Sequence, residues 1–355
     1  MKNTLSKFLV LTLAVLMLLG VTGCGAATTP AAPATTAAPA EAAAQETPTT
    51  AAAQQPGGLP PQGVMPMRGG PGGSASFASV APTYADLAYA TLSEAQKLDL
   101  YIPTTGSGPF PLVIMVHGGG FMFGDKADGG GLTGADQLLA AGYAVASINY
   151  RLSGEAQYPA QIHDVKAAVR FLRANAAQYN LNPEKFGAWG ASAGGNLVSL
   201  LGTTCGVAEL EGAELGNADQ SSCVQAVVDW FGPIDFLKMQ EQLTAAGCSA
   251  STDSAGSPES RLMGAPIQTI PDKVALANPM NFITPDDAPF FIENGTADCN
   301  IPPVQNQNLA DALSAAIGAD KVTCVSLDGA GHGGAQFETA ENLAQVIAFL
   351  DKYLK

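Results

Sequence analysis

Gly190-Ala191-Ser192-Ala193-Gly194 sets a serine between two glycines directly after the apolar run Phe186-Gly187-Ala188-Trp189. Where a strand folds back sharply into a helix, flanking glycines remove β-carbons that would collide. The residue between them is held strained, with its side chain projecting from the turn. Ser192 in that place is a candidate nucleophile. With 40 glycines in 355 residues such a pentapeptide arises readily by chance, so its partners must carry the argument. A serine hydroxyl is a poor nucleophile at neutral pH and needs an adjacent base, in this arrangement almost always histidine. The chain has three histidines. His117 stands in the glycine run His117-Gly118-Gly119-Gly120, and His163 lies beside Asp164 in a helical pattern, where it reads as a packing or capping side chain. His332, in Gly329-Ala330-Gly331-His332-Gly333-Gly334, follows the last strand pattern, at the sheet end where the serine turn also opens. It is the candidate base. The acid that would fix its tautomer should follow the preceding strand, and Asp298 in Gly295-Thr296-Ala297-Asp298-Cys299-Asn300-Ile301-Pro302 stands there. Asp229, Asp235, Asp286 and Asp287 compete for that role.

Residues this far apart need a frame to bring them together. From residue 79 to 355 strand and helix patterns alternate, the signature of an α/β domain with a mainly parallel, twisted sheet of about eight strands and helices on both faces. Leu87 to Tyr89 and Lys97 to Tyr101 read as an antiparallel edge hairpin, and Pro111 to Val116 as a central strand buried on both faces. Further strands are expected at 143–150, 224–231, 289–293 and 322–327, besides the one entering the serine turn. Helices are expected near 134–141, 159–176, 303–317 and 338–354, and after Ser192 to about Leu201. A polar region at about 235–287 is too long for a simple connection and is expected to form a lid or pocket wall.

On the serine turn, the His117-Gly118-Gly119-Gly120 loop and the chain order Ser192, Asp298, His332, the protein resembles the α/β-hydrolases. Within them it is similar to the group of hormone-sensitive-lipase-like esterases and of bacterial esterases related to feruloyl and acetylxylan esterases. The resemblance covers roughly residues 80–355. It implies a serine carboxylesterase acting on short-acyl or carbohydrate-linked esters through Ser192, His332 and Asp298, with no metal or cofactor. It also implies a loop-shaping role for His117 and an oxyanion hole formed by the N–H groups of Gly119, Gly120 and Ala193. Asn294 stands where related esterases often have histidine, a departure that leaves the three reacting residues untouched. Phe121, Phe123, Trp230 and Phe231 adjoin the sheet ends that border the site, where they would line a substrate pocket or pack in the core. A prolyl-oligopeptidase-like serine peptidase shares the triad, but it usually carries an access domain and its serine turn seldom follows such a glycine loop. A non-catalytic surface lipoprotein serving as a binding module is the other rival, and retention of every reacting group argues against it.

The first 78 residues read as an address rather than a fold. Lys2 and Lys7 precede an apolar run from Phe8 to Leu19 that is too short for an ordinary membrane span, and Val21-Thr22-Gly23-Cys24 resembles a bacterial lipobox. The expectation is a signal peptide over 1–23, a lipidated Cys24, and export to the extracytoplasmic face of a bacterial membrane. Residues 24–78 are rich in Ala, Thr, Pro and Gly and read as a disordered tether, with a mean span of about 40 Å. The formal net charge of −15, made more negative by loss of Lys2 and Lys7, repels nucleic acid and anionic lipid. Membrane contact is therefore expected through the anchor only, with an ester substrate as the one other partner. No cysteine or histidine spacing suggests a metal site. Strand polarity puts Cys205 and Cys223 at the bottom of the sheet and Cys248 and Cys299 in loops at its top. Those two disulfide pairs are expected, with Cys324 left buried in a strand.

Overall fold

The computed structural model describes residues 81–128 and 132–355; the leader, Cys24 and tether expected over 1–78 lie outside the described residues. Eight strands, β1 (Tyr84–Ala88), β2 (Lys97–Tyr101), β3 (Phe110–Val116), β4 (Ala144–Ile148), β5 (Leu181–Ala191), β6 (Ala226–Trp230), β7 (Phe290–Gly295) and β8 (Val322–Leu327), form one sheet. Their order is β1-β2-β4-β3-β5-β6-β7-β8. The hairpin β1–β2 joins β4 antiparallel, and β4, β3 and β5 to β8 run parallel.

The helices are α1 (Ala135–Ala140), α2 (Ala160–Ala174), α3 (Ala193–Thr203), α4 (Phe236–Ala245), α5 (Pro258–Met263), α6 (Pro271–Ala275), α7 (Val304–Ile317) and α8 (Ala340–Leu354). Each parallel strand feeds a crossover that must cover one face of the sheet. Alternate residues of β3 divide accordingly: Leu112, Ile114 and Val116 pack with α2, α3 and α7, while Val113 and Met115 pack with α1 and α8. All five are buried, which is why β3 reads as an unbroken apolar run rather than an alternation. Burial of each such side chain contributes about 1.5–3 kcal/mol.

After β3 the chain crosses to β4 on one side, then returns to place β5 on the other. The crevice at the carboxyl ends of β3 and β5 is thus the switch point where doubly wound sheets take ligands. The loop 117–124, Ser192, Asp298 and His332 all lie at carboxyl ends of strands, after β3, β5, β7 and β8 respectively.

The region 235–287 departs from a polar flap. It folds into α4, α5 and α6, and Phe236, Met239, Leu262, Met263 and Val274 are buried against the same core as α2 and α3. Each short helix hides only its few apolar side chains, so the stretch looks polar in the sequence. Pro258 packs close to Gly120, making α5 a wall beside the glycine loop. Among the described residues no helix is long and apolar enough to cross a membrane.

Cys205 pairs with Cys223 and Cys248 with Cys299. Cys324 lies in β8 but is only half-buried, which corrects the expectation of a buried thiol. The cause is that β8 ends the sheet, with no strand beyond it. Alkylation of the folded, unreduced protein followed by peptide mapping should therefore label Cys324 and none of Cys205, Cys223, Cys248 or Cys299. Recovery of labelled Cys248 or Cys299 would overturn the pairing.

Candidate active site

Ser192 closes β5 and caps α3 with φ 56° and ψ −122°, a conformation disfavoured for any side-chain-bearing residue. The surroundings impose it. A β-carbon on Gly190 would lie 2.3 Å from the Gly194 carbonyl oxygen, and one on Gly194 would lie 2.0 Å from that of Val116. Only glycine at both positions lets α3 start this close to β3 and β5. The Ser192 N–H donates to the Trp230 carbonyl at 2.9 Å, and Asn196 N–H donates back to the Ser192 carbonyl at 3.1 Å, pinning the turn from both sides.

The turn aims the hydroxyl at His332, with Ser192 Oγ 2.8 Å from His332 Nε2. On the far side of the ring, His332 Nδ1 is 2.7 Å from Asp298 Oδ2. A carboxylate can only accept, so Nδ1 carries the proton and Nε2 is left to accept from the serine hydroxyl. The second Asp298 oxygen accepts from the N–H groups of Asn300 at 2.8 Å and Ile301 at 3.0 Å. Asp298 is buried, and the charge-assisted bonds on both its oxygens fix its plane and that of the imidazole. The edge of Phe231 meets the face of His332 with ring centres 4.7 Å apart.

The glycine loop lies directly over Ser192, where a β-carbon on Gly118 would approach Ser192 Cβ to 3.2 Å. The N–H groups of Gly119 and Gly120 donate to no described acceptor. That of Ala193, first residue of α3, precedes the first intrahelical bond. His117 braces the loop from below. Its ring stacks on Tyr150 at 4.5 Å, its Nδ1–H donates to the Gly118 carbonyl at 2.7 Å, and the Tyr150 hydroxyl donates to the His117 carbonyl at 3.0 Å. Burial lowers the His117 pKa, which keeps the ring neutral.

Residues 98–313 match the family model described as BD-FAE. This chain belongs to the BD-FAE family. A truncated carbohydrate esterase from gut microbiota is 35% identical, with 76% of this chain and 95% of that one superposing at a TM-score of 0.69. Esterase LipC of Mycobacterium tuberculosis is 31% identical over 67% of this chain and 57% of its own length, so the chain spans about half the length of the curated relatives it matches. A thermophilic esterase from the Planctomycetes species Thermogutta terrifontis is similar in fold, at 22% identity and a TM-score of 0.60 over 75% of this chain and 93% of that one. The fold is thus that of the α/β-hydrolases.

In this BD-FAE domain the competing carboxylates have other partners. Asp229 accepts from the Ser199 hydroxyl and Gly232 N–H, with burial pushing its pKa up to about 6. Asp235 caps α4 through Leu237 N–H, Asp287 caps a turn at Thr284, and Asp286 is exposed. His163 faces the Glu209 carbonyl on α2's outer side, at 3.0 Å. Of the four aromatic pocket candidates, Phe231 lays its ring against His332. Phe123 is 63% exposed on the glycine loop. Phe121 and Trp230 take the core positions that stood as the alternative for them. Phe121 packs near Phe236, and Trp230 is wedged between Trp189 at 4.8 Å and Phe337 at 5.4 Å.

One buried acid escaped the sequence reading. Glu293 on β7 is fully buried; one carboxyl oxygen accepts from Asn342 Nδ2 at 2.9 Å, and the same amide nitrogen donates to the Phe337 carbonyl. The other oxygen lies beside the Trp230 indole N–H at a geometry too poor for a hydrogen bond. Burial pushes the Glu293 pKa up from 4.5 to about 7, against the pull of those two N–H groups. The signal was a charge inside the run Phe290-Phe291-Ile292-Glu293.

Because the folded value lies above the unfolded one, the native state keeps a proton that the unfolded chain releases. Stability is therefore lost as pH rises from about 4.5 to 7. Urea unfolding at pH 5 and pH 8 should show Glu293→Gln losing about 2.5 kcal/mol less than wild type over that interval. Equal losses in both proteins would refute the assignment.

Proposed function

We propose that this chain is a serine carboxylesterase that works by two-step acyl transfer. The observation carrying this reading is the relay in which Ser192 Oγ meets His332 Nε2 at 2.8 Å and His332 Nδ1 meets Asp298 Oδ2 at 2.7 Å, beneath three uncommitted backbone amides. His332 takes the serine proton as Oγ attacks the ester carbonyl. Negative charge then develops on the carbonyl oxygen, where the N–H groups of Gly119, Gly120 and Ala193 receive it. Each such preorganised donor contributes about 3 kcal/mol to lowering the barrier. The imidazolium gives its proton to the leaving alcohol, and the same ring activates water to release the acid. Asp298 holds the ring in the tautomer this cycle needs.

The substrates are short-acyl or carbohydrate-linked esters. The carbohydrate side of this reading is supported by the gut-microbial carbohydrate esterase at 35% identity over nearly its whole length and by a bifunctional protein from Bacteroides eggerthii, 36% identical over 76% of this chain. The basic leader and the Val21-Thr22-Gly23-Cys24 segment favour an exported enzyme held by a lipid on Cys24.

Steady-state hydrolysis of p-nitrophenyl acetate tests the relay. Ser192→Ala and His332→Ala should lower kcat on the order of 10⁴-fold, and Asp298→Asn comparably by favouring the wrong tautomer. Near-normal kcat in Asp298→Asn would place the acid elsewhere, and full activity in Ser192→Ala would end the acyl-enzyme reading.

A further inference from the structure

Glu293 is the one charged side chain on β7, and it alternates with Phe291 onto the face of the sheet that packs with α1 and α8. Across the ladder its partner on β6 is Trp230. Taking a carboxyl fully out of water is costly, whereas an apolar side chain of similar size would fill the same place without that cost. The groups around the carboxyl give it a use.

Its two oxygens serve two different parts of the site. One accepts from Asn342 Nδ2 at 2.9 Å, and the same amide nitrogen donates to the Phe337 carbonyl at 3.0 Å. The Phe337 N–H closes a turn onto the carbonyl of Gly334, two residues after His332. The Phe337 ring meets Phe231 edge-on at 4.8 Å, and Phe231 in turn lies against the His332 ring at 4.7 Å. This arm ends at His332. The other oxygen lies beside the Trp230 indole N–H, which attracts it. The Trp230 carbonyl receives the Ser192 N–H at 2.9 Å, so the second arm ends at Ser192. The backbone adds a third tie, since the Glu293 carbonyl accepts from the Phe231 N–H at 2.7 Å.

We propose that Glu293 is a positioning residue for ester hydrolysis, joining Trp230 to the Asn342 and Phe337 pair and thereby holding Ser192 Oγ against His332 Nε2. The inference rests on the esterase reading above and adds to it a residue that acts through its neighbours. The contact between hydroxyl and imidazole carries the first proton transfer, and a displacement of about 1 Å in such a contact costs on the order of 10²-fold in rate. The amides that would receive the ester oxygen on the glycine loop hang from β3, outside this bridge. Cutting the bridge therefore slows the chemistry and leaves ester binding in place.

The test reads kcat and KM for p-nitrophenyl acetate per active site, with sites counted by stoichiometric reaction with paraoxon so that unfolded protein does not enter. Glu293→Leu removes both arms and should lower kcat about tenfold or more, with KM within about twofold because His332 serves acylation and deacylation alike. Glu293→Gln keeps a carbonyl oxygen for the Asn342 amide and should stay within about threefold of wild type. Trp189 and Trp230 are the chain's two tryptophans and pack together in this cluster, so Glu293→Leu should also shift tryptophan emission. Asn342→Ala cuts the same bridge from α8. It should lower kcat in the wild-type background and add little to Glu293→Leu, and it decides the matter alone if Glu293→Leu does not fold. Unchanged kcat in Glu293→Leu or Asn342→Ala, a Glu293→Gln loss as large as that of Glu293→Leu, or additive losses in the double variant would overturn the proposal. Wild type inert towards p-nitrophenyl acetate would instead sink the esterase reading itself.

Discussion

The close approach of helix α3 to strands β3 and β5 is the constraint on which the site depends. A turn this tight costs about 1–3 kcal/mol in backbone strain at Ser192, and it persists only because its surroundings leave no alternative. Gly190 and Gly194 admit the approach, and the Trp230 carbonyl holds the serine N–H. Trp230 in turn is clamped by Trp189 and Phe337. Phe337 ends the segment that carries His332 and packs edge-on against Phe231, which backs the imidazole. The packing that fixes Ser192 therefore also fixes His332. A single aromatic cluster at the carboxyl ends of β5 and β6, closed by Phe337 after β8, orients two residues that stand 140 positions apart.

Three buried carboxyl groups at this end of the sheet show how environment separates similar side chains. Asp298 accepts two backbone N–H bonds and one from an imidazole, so donors hold both of its oxygens in place. Asp229 has one hydroxyl and one amide, and Glu293 has a single side-chain amide, so in both burial prevails and the pKa rises. Only the first has a histidine against it. What singles out Asp298 is thus its place against the His332 ring rather than its nearness in the chain.

The serine turn, the last-loop histidine and the aspartate after β7 were legible in the sequence. Each is marked by local chemistry that few other folds demand: glycines where β-carbons would collide, and polar residues just beyond apolar strands. The parallel sheet was legible for the same reason, since a strand buried on both faces cannot alternate. What sequence alone could not supply was side-chain direction at strand ends. Phe121 and Phe123 are two residues apart, yet one is buried near Phe236 and the other faces solvent, because the loop takes positive φ at Gly119, Gly120 and Phe121 and breaks any simple alternation. Trp230, by contrast, keeps the alternation of β6 and shares with Ala226 and Val228 the face that packs with α1 and α8. Cys324 misled because its apolar neighbourhood is that of an edge strand, whose outer side has no partner.

The same wiring bears on how substrate enters. A lid over the site would have to come from the α4–α6 segment, which walls the glycine loop at Pro258. That segment is tied down at several points. Cys248 is bonded to Cys299, the residue after Asp298, so the end of α4 is covalently joined to the loop that holds the acid. Gln305 on α7 accepts from the N–H groups of Ile234 and Asp235 and fixes the start of α4, and Phe236 and Met239 are buried beneath it. Swinging the segment aside would pull on Asp298 and expose apolar surface at about 25 cal/mol for each Å². Access without disturbing the acid is therefore lateral, across the rim of the glycine loop, where Phe123 is exposed and the sheet's carboxyl edge lies open toward β4.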